Sequence, residues 1–190
     1  MSHAYVAPGE PPPYLVETWF NPPATQALAM PGWFEQHFEN MSRYRNMACA
    51  GVLVGTTAPG RVKPGPQIEY DPSPEDMRSM LAGLKDAGRI WMEAGAERVM
   101  PATFKWREYR TPDSLAGLER VVRERGDLFM TSAHPQGGNA LGTVVDEDFR
   151  VRALANLYLC DASVFPTSVH VNPQLTVMGM AQYAAGRLLR

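Results

Sequence analysis

The sequence predicts a mixed α/β fold of α+β type, in which a β-sheet carries packed helices and a closing strand and helix complete the chain. Three observations lead there. Two runs rich in aromatic, β-branched and other apolar residues, YLVETWF at 14–20 and MACAGVLV at 47–54, have strand character. Two helix-start signatures follow, Ser73-Pro74-Glu75-Asp76 and Thr111-Pro112-Asp113. An apolar helix then opens behind Asn172-Pro173 and runs towards the end of the chain.

Residues 1–13 hold four prolines and a glycine, which predicts an extended tail or linker. The strand at 14–20 stops at Asn21-Pro22-Pro23. Residues 24–45 accommodate short helices near 25–30 and 33–42, divided by Pro31-Gly32. The near-continuous apolar run 47–54 is that of a strand covered on both faces. A turn at 56–60 leads to a returning strand over 61–70, broken at 64–66 by Pro-Gly-Pro, as at a sheet edge or loop.

The helix that begins at Ser73 is the best defined. Ser is a favoured N-cap, Pro is tolerated at the first helical position, and acids in the first turn suit the helix dipole. Met77, Met80, Leu81, Leu84, Gly88 and Trp91 repeat at helical spacing, and Gly95 ends the helix. A short strand is expected at 97–100. The second helix carries Leu115, Leu118 and Val122 as its buried stripe and stops at Gly126.

Composition narrows the function classes. The chain of 190 residues is 45% hydrophobic and 20% charged, with a net charge of −2, which gives no basis for binding nucleic acid. Cys49 and Cys160 lie in apolar runs and are expected as free thiols. No apolar run is long enough to span a membrane, and the Pro-rich start lacks a signal-peptide pattern, so the cytoplasm is the expected compartment. His3, His37, His134 and His170 are too scattered to form a metal set, and no metal site is expected.

The closing stretch, 132–190, concentrates the chemistry. His134-Pro135 precedes Gly137-Gly138, and adjacent glycines let a backbone pass close to a flat ligand or another segment. His134 is therefore either a hydrogen-bonded structural residue or a group held against such a ligand. VVDEDFRV at 144–151 reads as a hairpin with an acidic turn, and NLYLC at 156–160 as a short strand ending at Asp161. Asp161 can bond its own turn or accept from a sugar-type hydroxyl. Asn172 is either the N-cap of the last helix, expected over 174–189 and buried on most faces, or a hydrogen-bonding group for a substrate.

Taken together, His134, Gly137-Gly138, Asn156-Leu157, Asp161-Ala162-Ser163, Pro166 and Asn172-Pro173-Gln174-Leu175-Thr176 resemble the C-terminal signature of the glucose–methanol–choline (GMC) oxidoreductases. The motif covers about sixty residues and is specific because several spacings agree. Upstream, the order of elements, the GVLV strand at 51–54 and the Ala94-Gly95-Ala96 helix end resemble the family's substrate-binding domain. The resemblance implies domains at 14–131 (substrate-binding) and 132–190 (completing the cofactor and active site), after the 1–13 segment.

It also implies FAD as cofactor and oxidation of a small-molecule alcohol by hydride transfer to the flavin. The family's active-site histidine falls on His134. The second active-site position falls on Asn172, as in choline- and cholesterol-oxidase-like members. Asp161 and Ala162 fall at the ribityl–pyrophosphate part of FAD, and Asn172, Pro173 and Gln174 beside the flavin ring. A neutral imidazole accepts the hydroxyl proton as hydride leaves the carbinol carbon, and an amide beside it orients the oxygen.

The sequence departs from the family pattern in three places. Asn139 stands where many relatives carry Cys, Thr or Arg, a difference expected to affect packing. His170 stands where a small residue is common and faces either solvent or the substrate mouth. No G-x-G-x-x-G occurs anywhere, so the ADP-binding unit of the family is absent. The expectation is an incomplete site that needs an N-terminal FAD-binding half or a partner chain. Alternatively, the chain is a non-catalytic stand-alone domain or subunit. Glu17 is a further substrate-side candidate, by weak similarity to a carboxylate of sterol-oxidising relatives.

Overall fold

The structure is a computed structural model that describes residues 4–9, 11–65, 67–105 and 107–188. The chain divides into two compact units, Met1–Met130 and Thr131–Arg190. His3, Pro66 and Leu189, each part of an expectation above, lie outside the described residues.

The first unit is built on a three-stranded antiparallel sheet of order β1-β2-β3, with β1 at Ala4–Val6, β2 at Leu15–Trp19 and β3 at Cys49–Leu53. The proline-rich start is thus not a tail throughout. Ala4–Val6 holds no proline, so its donors can pair, and Ala4 lies opposite Glu17. β3 pairs with β2 from Leu15–Leu53 to Trp19–Cys49. It is an edge strand and half-buried along its length, not covered on both faces. One sheet face, with Tyr14, Val16, Ala50 and Val52, packs on a helix at Ala87. Alternation sends Glu17, Trp19, Cys49 and Gly51 to the other face.

Between β2 and β3 lie α1 (Pro23–Ala29) and α2 (Phe34–Ser42). β4 (Arg61–Lys63) and β5 (Gln67–Glu69) form a separate exposed hairpin. The expected strand over 61–70 does not return to the main sheet, because Pro64-Gly65, with Gly65 at φ +91°, folds it back on itself.

α3 (Pro74–Glu93) begins with a reciprocal cap. The Asp76 N–H donates to Ser73 Oγ at 3.1 Å and the Ser73 N–H to the Asp76 carboxylate at 2.8 Å. Gly95 stands past its end at φ +96°. α3 lies between two layers. Gly83 and Ala87 meet the sheet, while Met77, Met80, Leu81 and Leu84 pack against Tyr109, Leu115, Leu118, Val122 and Leu128. Leu115 and Leu118 are fully buried, as their spacing predicts.

The second helix-start signature does cap its segment through Thr111 and Ser114, but the product is a 3₁₀ run, Pro112–Gly117, followed by the short α4, Leu118–Val121. The segment ends at Val122, ahead of Gly126. The strand expected at 97–100 reduces to a single bridge between Val99 and Tyr109.

The second unit packs Val145, Phe149, Val164 and Ala184 as its core. The acidic hairpin is present as a bridge between Val145 and Val151. Phe149 takes φ +63° there, an uncommon conformation for a bulky residue, and places its ring in that core. The 156–160 run is not a continuous strand; it contributes one bridge, Tyr158 to Arg150. α5 spans Gln174–Leu188. It is apolar as read, but Ala184 is its one buried member among the described residues, while Leu175 and Met178 are 82% and 60% exposed. Among the described residues no helix is long and apolar enough to cross a membrane.

Candidate active site

The His134 segment is fastened by hydrogen bonds to the segments of the second unit that carry Asp161 and His170. Gln136 Oε1 accepts from the Val169 N–H at 3.1 Å, two positions after His134 and one before His170. The Asn139 N–H donates to the Ser163 carbonyl at 2.9 Å, and Asn139 Nδ2 donates to Ser163 Oγ at 3.0 Å. The Leu141 N–H donates to the Val164 carbonyl at 2.9 Å. Gly137 adopts φ +85°, which turns the chain between these clamps and requires glycine.

His134 itself is half-buried, and its Nδ1 atom is buried without a hydrogen-bond partner among the described residues. Leaving a buried polar atom unpaired costs about 1–3 kcal/mol. A buried polar atom left unpaired in a loop fastened at both ends is uncommon in folded proteins and marks His134 as a candidate site residue.

Asp161 opens the 3₁₀ turn Ala162–Val164 and accepts from the Ser163 N–H at 2.7 Å. The Ser163 hydroxyl first, and then this N–H, hold its carboxyl below the usual carboxylate range. The turn reading is therefore realised. Since Asp161 is exposed and a carboxylate has about four acceptor positions, room remains for a further donor.

Pro173 is buried, and its carbonyl accepts from the Val177 N–H at 2.8 Å as α5 begins. Asn172 thus stands one position outside the N-cap, which excludes it as the helix's first capping residue by position. Asn172 and Gln174 are exposed at the mouth of the helix N-terminus. His170 is half-buried and holds φ +54°, with its N–H on Ser168 Oγ at 3.3 Å. Positive φ at a non-glycine residue is a strained conformation that concentrates at functional sites.

Glu17 belongs to the first unit, half-buried on β2 between Ala4 and Gly51. Among the described residues no group of His, Cys, Asp or Glu is arranged to hold a metal ion. Gln136 and Ser163 have structural roles that local sequence reading did not assign, and Asn139 has a larger one than its place as a departure suggested. The available signal was an amide on either side of a glycine pair.

The family model described as GMC oxidoreductase, covering its C-terminal part, matches residues 54–181. A GMC-type oxidoreductase of Mycobacterium tuberculosis, itself uncharacterised, is 27% identical over 175 residues, covering 88% of this chain and 28% of that protein. A long-chain-alcohol oxidase of Arabidopsis thaliana is 30% identical over 171 residues, covering 80% of this chain and 23% of its own length. The crystal structure of pyridoxine 4-oxidase from Mesorbium loti superimposes with a TM-score of 0.50 at 21% identity, over 93% of this chain and 34% of that one, a likeness of fold. The chain therefore spans about a quarter to a third of the length of these proteins.

Proposed function

The chain belongs to the GMC oxidoreductase family, and from that premise we propose that it supplies the substrate-side and proton-accepting residues of an FAD-dependent enzyme oxidising the CH–OH group of a small-molecule alcohol. Members of the family act on CH–OH donors and generally bind FAD. A bound FAD would supply the hydride acceptor, chemistry that no side chain provides.

The observation that carries the reading is the buried, unpartnered Nδ1 of His134. With Nδ1 enclosed by the protein, Nε2 is the ring nitrogen that the proposal gives to the substrate. In the proposal His134 accepts the hydroxyl proton of the alcohol. Asn172, exposed just outside α5, orients the same oxygen through its amide. Pro173 and Gln174 set the helix N-terminus, whose N–H groups favour an anionic ring edge. Asp161 and Ala162 offer acceptor and backbone groups to the cofactor's hydroxylated chain. His170 and Glu17 are assigned to the substrate side.

The absence of G-x-G-x-x-G favours a second element. In the proposal, an FAD-binding portion preceding this chain or held on a partner completes the site. The alternative is a domain that binds such a partner and catalyses nothing. Joining residues 4–188 behind the preceding portion of the Mycobacterium tuberculosis relative separates them. Flavin that survives desalting and is bleached by a long-chain alcohol supports the enzyme. Flavin retained but inert to a panel of primary and secondary alcohols supports the binding domain and contradicts the enzyme.

A further inference from the structure

A cleft of about 280 Å³ opens in the first unit where the end of β2 meets the start of β3 and the last turn of α3. Four aromatic side chains line it, Trp19, Phe20, Tyr44 and Trp91, together with Arg45 and Cys49. Its volume lies just below the range usual for ligand pockets, about 300–1,000 Å³, so it suits a molecule of one ring. Phe20, 79% exposed, stands at the rim of the cleft, so its ring is accessible to a ligand.

The polar groups around the cleft are largely engaged with one another. Tyr44 Oη donates to the Asn21 carbonyl at 2.5 Å, and Asn21 Nδ2 donates to Gln26 Oε1 at 2.9 Å. Cys49 Sγ donates to the same Gln26 oxygen at 3.0 Å. These bonds fix the walls and engage the Tyr44 hydroxyl, the Cys49 thiol and the Gln26 oxygen. The charged group left is Arg45, which forms no ion pair or hydrogen bond among the described residues. Aromatic walls favour a flat ring, and a guanidinium at the edge favours a carboxylate held by two parallel bonds.

We propose that this cleft binds a small aromatic carboxylate, with its ring among Trp19, Phe20 and Trp91 and its carboxylate on Arg45. The assignment uses residues of the first unit alone and does not depend on the oxidoreductase reading of His134.

The two cysteines provide the test. Cys49 lines the cleft, and Cys160 belongs to the other unit, so Cys160 is an internal reference. Alkylation of each thiol by iodoacetamide is followed by mass spectrometry on the purified 190-residue chain, with benzoate as probe. Benzoate at about ten times its Kd should slow Cys49 roughly tenfold, since protection follows site occupancy. Cys160 should be unaffected. Benzyl alcohol and cyclohexanecarboxylate, each lacking one of the two features, should protect Cys49 less. Arg45→Gln, at an exposed position, should leave the fold intact and remove the protection by benzoate. No protection of Cys49 at up to ~10 mM benzoate, a concentration that reveals even weak sites, would overturn the proposal. Equal slowing of both thiols, equal protection by benzyl alcohol, or full protection in Arg45→Gln would do the same.

Discussion

Asn139 holds Ser163 through two bonds, one from its main chain and one from its side chain, at 2.9 and 3.0 Å. Ser163 in turn gives its N–H to Asp161. The glycine turn behind His134 is thereby tied to the turn that opens at Asp161. Asn139→Ala should remove the side-chain bond and lower stability by about 0.5–1.5 kcal/mol. Urea unfolding of the single and double mutants with Ser163→Ala checks this. The double-mutant cycle should show the two losses to be less than additive.

α3 approaches the sheet closely because Gly83 has no side chain. A Cβ there would overlap Val52 Cγ1 and sit 3.1 Å from the Tyr14 ring. Gly83→Ala should therefore destabilise by about 1–3 kcal/mol through overpacking, although alanine is the better helix former. A fall in thermal midpoint is the expected reading. Gly88→Ala, with its Cβ 2.8 Å from Leu115 Cδ2, should behave alike on the other side of the helix.

These two relationships differ in how far the sequence discloses them. α3 was legible because its cap, its periodicity and its terminal Gly95 are all local, and each acts within one turn of chain. The 3₁₀ run at Pro112–Gly117 was legible as a start but not as a type, since the packing of Leu115 against α3 decides its length. β1 was hidden among prolines, because pairing with β2 is a tertiary choice. In the candidate site, the resemblance supplied His134 and Asn172. The clamps at Gln136 and Asn139 reach residues 33 and 24 positions away, beyond any local pattern.

Asp161 gives a pH dependence of known sign. Its carboxyl is held below the ordinary range by the Ser163 hydroxyl and N–H. A depressed carboxylate contributes stability that is complete above the unfolded value, about 3.9, and is lost as pH falls through the folded value. The contribution is small, because the group is exposed. Asp161→Asn should therefore flatten the acid limb of stability below about pH 4 and leave the neutral plateau little changed in slope. Denaturation midpoints measured across that range are the check.

The uncovered face of α5 should make the isolated chain self-associate, since Leu175, Met178 and Tyr183 present apolar surface to water. Leu175→Ser with Met178→Ser should shift sedimentation towards the monomer without altering the helix content. Unchanged association in this variant would place the sticky surface elsewhere.

In the proposed function His134 accepts the proton of the alcohol. The most direct measurement is the rate at which an alcohol bleaches bound flavin in the protein joined to an FAD-binding portion, for the parent and for His134→Ala. Loss of a positioned general base should slow this step by about 10²- to 10⁴-fold while flavin remains bound. An unchanged bleaching rate in His134→Ala, with flavin content equal to the parent, would rule out His134 as the base.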